Sequence, residues 1–279
     1  MLERPFKDLE SWVHHLSAAE LPVLKRTAQQ LDELRQREDR VTSPAIAQVV
    51  LQDPLMALKV LAYLEARRRR SQITDITTID RAIMMLGVSP FFSDFERLVR
   101  VEDQLAAHPQ ALLGLLRVVA RAKRAAHFAR DWALLRHDLD VEEITVAALL
   151  HDVAETLLWS FAPRLALQVS ELQRANPTMR SHLAQHAVLG IRLDDLQLAL
   201  AQAWRLPALL VSLMDGAHSG HPRVRNVLCA VNLARHSAKG WDDPALPDDY
   251  AQIEKLLNIS HEALLARLGQ TAAPDTQGC

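Results

Sequence analysis

Ala147–Trp159 reads AALLHDVAETLLW, and it decides the fold. An apolar run leads into adjacent His151 and Asp152, and apolar residues follow. The spacing of Leu149, Leu150, Val153, Leu157 and Leu158 predicts a helix buried on most of its surface. A desolvated carboxylate is costly alone, so Asp152 needs partners. One reading makes His151 and Asp152 half of a metal site, with imidazole nitrogen and carboxylate oxygen as ligands. The other makes them a structural pair held by hydrogen bonds inside a helical core.

The surrounding composition extends the helical reading to the whole chain. Among 279 residues, 49% are hydrophobic and 24% charged, which suits a globular protein with one large core or two modest ones. Leu, Ala, Arg, Glu and Gln dominate, only 8 residues are Gly, and β-branched runs are short, so the fold class is all-α. A net charge of −2 gives no general attraction to nucleic acid. Cys229 and Cys279 suggest no disulfide framework. No apolar run looks long enough to span a bilayer, and MLERPFKDLESW lacks a signal-peptide core. A cytoplasmic protein without a membrane segment is the expectation.

Upstream of the His-Asp stretch, Phe6, Leu9, Trp12, Val13 and Leu16 mark a helix within residues 1–20, and a more polar one spans Leu21 to Glu38. Ser43 as N-cap with Pro44, and then Asp53-Pro54, signal two further starts. The second opens an amphipathic helix with Leu55, Leu58, Leu61 and Ala62 facing inward. That helix runs into Arg67, Arg68, Arg69 and Arg70, which nearly encircle the axis. They serve either as a solvated helix end or as a patch gripping phosphate or an acidic partner. Thr77 with Asp80 forms a capping box, Gly87 a stop, and Phe91–Val99 another short helix. Pro109 to about Leu135 is a long helix rich in Ala and Arg, and Pro163, Pro177, Pro207, Pro222 and Pro247 mark later starts. The expected division is an N-terminal helical lobe (1–105), a second helical lobe centred on His151 (106–269) and a disordered tail (270–279).

Several of these signals stand in a familiar order. They are Leu21-Pro22-Val23-Leu24, Asp53-Pro54, Ala82-Ile83 with Leu86-Gly87, Leu150-His151-Asp152, and Trp204-Arg205-Leu206-Pro207. From about residue 21 to about residue 240 the chain resembles the HDOD domain family, the HD-related output domains of bacterial signalling proteins. The resemblance implies an HD-like helical bundle related to metal-dependent phosphohydrolases but regulatory in role. This sequence departs from the family pattern in places. Tyr63-Leu64-Glu65-Ala66 replaces the common Asn-Ser, Leu193 replaces a His upstream of the Trp-x-Leu-Pro element, and Gly216-Ala217-His218 replaces a His pair.

A working HD site resembles a His, then His-Asp, then a distant Asp around a divalent metal that activates water. Alignment on the Ala122, Ala125, Ala129 stripe puts the first His near Arg117, and His127 lies too far along the helix to substitute. The last Asp is expected in Val231-Asn232-Leu233-Ala234, which is followed by Arg235. Both vacated positions look basic. Asp152 is therefore expected to pair with Arg235, or failing that Arg117, in place of a metal. His182 with His186, His14-His15, and His218 with His221 are weak as metal sites, and no phosphate loop or nucleophile motif appears.

The implied function is non-catalytic and regulatory, with no cofactor and with a signalling protein such as a sensor or cyclase bound in trans. The alternative is a divergent metal-dependent phosphohydrolase acting on a nucleotide. A nucleic-acid binder using the Arg run is a third and less favoured reading.

Overall fold

A computed structural model describes residues 1–67, 75–176 and 178–270. Among these residues all regular structure is helical, apart from one isolated parallel bridge between Val23 and Arg100. Arg68–Arg70, Pro177 and nearly all of the expected tail lie outside the described residues.

The first half consists of short helices. Helix α1 (Leu9–Ala18) begins at Asp8, whose side chain accepts a hydrogen bond from Ser11 N. Phe6 precedes the helix and meets Trp12 edge-on. Residues 21–24 are not helical: Pro22 disfavours the α region for Leu21. Val23 instead exchanges backbone hydrogen bonds with Val99 and Val101. Helix α2 (Lys25–Arg35) is thus shorter than its polar pattern suggests. Helix α3 (Ser43–Val50) starts one residue earlier than expected, with Thr42 at the N-cap and no side-chain cap bond. Helix α4 (Pro54–Arg67) buries Leu55, Leu58 and Leu61, with Ala62 half-buried. At α5 (Ile79–Leu86) the cap is Thr78, which accepts from Arg81 N, while Thr77 donates to Glu143. Gly87 ends α5 at φ +85°, a conformation that favours glycine. Helix α6 (Val88–Asp94) lies earlier than the Phe91–Val99 reading, because the Gly87 stop passes directly into it. Helix α7 (Val101–Gln104) closes this half.

Helix α8 (Pro109–Leu135) is the axis of the second half and has the bounds its sequence predicts. Its buried face carries Ala122, Ala125 and Ala129, small enough for neighbouring helices to approach closely. Gly114 has the same use: a Cβ there would sit 2.6 Å from the Trp159 ring.

The stretch around His151 forms two helices rather than one, α9 (Val141–Leu150) and α10 (Val153–Phe161). The chain turns at His151-Asp152. Leu149, Leu150, Val153, Leu157 and Leu158 are all buried, as their spacing requires. Taken as one run, Val141–Phe161 is long and apolar enough to cross a membrane, contrary to the sequence reading, but most of it is buried within the protein.

Helices α11 (Pro163–Ala175), α12 (Ser181–Leu189), α13 (Leu193–Ala203) and α14 (Ala208–Met214) follow. Then come α15 (Pro222–His236), α16 (Leu246–Leu257) and α17 (His261–Arg267). Helices α9, α10 and α15 pack along α8, α4 reaches α8 to α10, and α1 rests on α13. Buried side chains from Trp12 to Leu264 form one continuous hydrophobic cluster.

Candidate functional site

The break between α9 and α10 is where the chain's chemistry gathers. Ending one helix and starting another leaves backbone groups without helical partners. Gln197 of α13 takes two of them: its Oε1 accepts from Ala154 N at 2.8 Å, and its Nε2 donates to the Leu150 carbonyl at 3.0 Å. Thr156 donates its hydroxyl to the Asp152 carbonyl. The turn is therefore fixed from both sides, and it presents the Asp152 carboxylate toward α8 and α15.

Two arginines meet that carboxylate. Arg121 of α8 gives Asp152 Oδ2 two bonds, from Nε at 3.2 Å and Nη2 at 2.9 Å, and the same Nη2 reaches Glu155 Oε2 at 2.7 Å. Arg235 of α15 donates from Nη2 to Asp152 Oδ1 at 3.2 Å. His151 Nδ1 lies 3.1 Å from the same oxygen. Side-chain exposure is 9% for Asp152, 16% for Arg121 and 39% for Arg235.

Burial pushes the Asp152 carboxyl up. The Arg235 charge, the His151 hydrogen bond and the Arg121 charge outweigh it and hold the group well below the usual carboxylate range. Burial alone would lower the Arg121 pKa, but Glu155 and Asp152 raise it on balance.

Arg235 thus stands where the sequence places it. Arg117 does not: it is exposed on α8, and Arg121, one helical turn further on, occupies the expected position. The Ala stripe gives the correct face, but its register along the axis is off by that turn. Arg117, Arg121, Ala125 and Ala129 follow one another at four-residue spacing, so the sequence offers both arginines on one face and does not choose between them. Glu155 and Gln197 carry no such signal, because their roles depend on the break.

The donor set does not fit a metal. A cation bound by His151 and Asp152 would face two guanidinium groups already bonded to that carboxylate. Among the described residues no three His, Cys, Asp or Glu side chains converge as ligands. His127 is exposed and lies 3.5 Å from Asp131. His182, His186, His14, His15, His218 and His221 are exposed too. Leu193 is buried at the start of α13. Arg67 stacks 4.3 Å over the Tyr63 ring and reaches Asp94 at 3.4 Å; the rest of the Arg run is outside the described residues.

The sequence model of the HDOD domain matches residues 21–219. Among solved structures, the MmoQ response regulator of Methylococcus capsulatus is similar, with a TM-score of 0.66 and 20% identity. That similarity covers 90% of this chain and 98% of the regulator. A virulence factor of Campylobacter jejuni aligns with a TM-score of 0.64 and 17% identity, covering 96% of this chain and 94% of its own. These likenesses establish the all-helical fold. No curated protein matches the sequence.

Proposed function

The chain belongs to the HDOD domain family, and from that premise we propose a non-catalytic regulatory protein that acts in signal transduction by binding another protein. One observation carries the reading. Asp152, the carboxylate that a working HD site would turn toward a metal, is bonded here to both Arg121 and Arg235. An activated water needs a Lewis acid or a free general base at that point. Asp152 is committed to cations and is a poor base, because its pKa is depressed. The pair replaces the metal as the link between α8, the α9–α10 turn and α15. The compartment we assign is the cytoplasm, where buried Cys229 would remain a thiol, its pKa pushed up by burial to about 11.

The test is direct. Protein purified without added metal should contain less than stoichiometric metal. It should not turn over nucleotide or phosphodiester substrates with magnesium, manganese or iron. Metal-dependent turnover that is abolished by His151→Ala would overturn the proposal in favour of a divergent phosphohydrolase.

A further inference from the structure

Helix α8 packs its alanine face inward and leaves the opposite stripe largely exposed, with Lys123 half-buried near its middle; the helix is about 40 Å long at 1.5 Å per residue. Leu113, Leu116, Arg117, Lys123, Arg130 and Leu134 recur there. At 100° per residue they fall within an arc of about 140°. Leu113 and Leu134 each remain 50% exposed, and Leu116 is exposed as well. Leu113 and Leu116 adjoin each other at one end of the stripe, and Leu134 stands about 30 Å further along the axis.

The charges on this stripe are equally uneven. The helix holds five Arg or Lys residues and a single carboxylate, Asp131, in a chain whose net charge is −2. Arg121 is spent on Asp152 and Glu155, and Arg124 on the Ser237 side chain and carbonyl. Arg117, Lys123 and Arg130 have no hydrogen-bond or ion-pair partner among the described residues. Among the described residues, three unpaired cations therefore lie between leucines at the two ends of the helix.

We infer that the exposed face of α8 docks an acidic amphipathic helix of a partner protein, with leucine contacts at both ends and carboxylates over Arg117, Lys123 and Arg130. This rests on the protein-binding reading and gives its partner a chemistry. A helix laid along a matching face is anchored by residues three and four apart, as this stripe requires. A second copy of the chain fits poorly, because the same three cations would face their own equivalents. A nucleic acid would use the cations but leave the terminal leucines against a polyphosphate.

The probe is a synthetic helical peptide of about 20 residues, with Leu on one face and Glu flanking it. Its controls are a peptide with Lys for Glu and a DNA duplex of similar length. By fluorescence anisotropy the Glu peptide should bind the full chain, and binding should weaken as salt is raised. Arg117→Gln with Arg130→Gln, and separately Leu113→Ser with Leu134→Ser, should each weaken binding at least about tenfold, about 1.4 kcal/mol. All four residues are exposed, so thermal unfolding should be unchanged. Equal binding of the Lys peptide, tighter binding of DNA, or self-association lost on Leu116→Glu would each overturn the inference. Failure to bind the Glu peptide, with hydrolase activity absent, overturns this surface alone. Metal-dependent turnover overturns the reading beneath it.

Discussion

Asp53 and Asp152 hold comparable positions in the two halves of the molecule. Each stands where one helix ends and the next begins, and each has a buried carboxylate. Their surroundings differ in kind. Asp53 is held by neutral dipoles: Leu24 N at 2.8 Å, Leu55 N at 2.9 Å, Met56 N at 3.3 Å and the Thr27 hydroxyl. Asp152 is held by two guanidinium groups and an imidazole. Burial raises the Asp53 pKa, and its dipoles only partly offset that. At Asp152 the cations win, and the pKa falls. Dipoles satisfy a buried carboxylate and shape a local turn. Full charges also keep it ionised, and here they tie together segments 31 and 83 residues apart.

The largest effect should come from removing the charged centre. Asp152→Ala removes two of the three carboxylate bonds of Arg121 and the bond from Arg235, leaving Arg121 with Glu155 alone, and should cost about 3–5 kcal/mol in denaturant unfolding. Adding Arg121→Leu should recover part of the loss, since the under-paired guanidinium is then gone and Glu155, 25% exposed, can turn to water. A single-variant cost below about 1 kcal/mol would erase the distinction between the two sites.

Asp53→Asn should be milder, about 1–2 kcal/mol. An amide oxygen can still accept from one of the backbone N–H groups, and no cation is left stranded. Asp152→Asn must cost more than Asp53→Asn for the comparison to hold, which the same unfolding experiment checks.

The two sites were also unequally legible in the sequence. Asp53-Pro54 announces itself locally, because the N-cap signal and the bonds to Leu55 and Met56 lie within three residues. Helix α8 was readable end to end from its proline start and alanine stripe. Asp152 could be read as buried and in need of a cation, and Arg235 could be named from its place after Val231–Ala234. The helix break could not be read, because apolar periodicity passes through His151-Asp152 without interruption. What fixes the break is Gln197, more than forty residues away. The sequence reading points to Arg117 rather than Arg121 for a related reason: periodicity fixes a face and leaves position along the axis free by whole turns.

Acid should separate the sites by sign. The Asp152 pKa in the fold lies below its unfolded value near 3.9. Its ionised form therefore stabilises the protein above about pH 4, and that contribution is lost as pH falls from there through the folded value. Asp53 has a raised folded pKa, so its ionised form costs stability above that value, and the cost fades as pH falls toward about 4. Urea midpoints between about pH 2.5 and 6 should show a shallower acid loss in Asp152→Asn, confined to the range below about pH 4. In Asp53→Asn the change should appear above about pH 4, where the variant no longer gains stability on acidification.

The smallest effect on stability should come from Arg235→Gln. Its guanidinium makes one bond to Asp152 and is 39% exposed, so water screens the pair, and the cost should be about 1 kcal/mol or less. Arg121 remains with two bonds to the carboxylate, in a more buried place. Yet Arg235 is the leading charge that depresses the Asp152 pKa. Stability and titration are linked, so both should respond to this one change. An NMR titration of the Asp152 carboxyl should show its pKa rising in Arg235→Gln, with a loss of stability at neutral pH no larger than that rise carries by linkage, about 1.4 kcal/mol per pH unit. The same titration in Arg121→Gln should be accompanied by a clear loss of stability, because Glu155 loses its partner as well. If Arg235→Gln leaves the Asp152 titration where it was, the late helix contributes proximity without charge, and Arg121 alone distinguishes this carboxylate from Asp53.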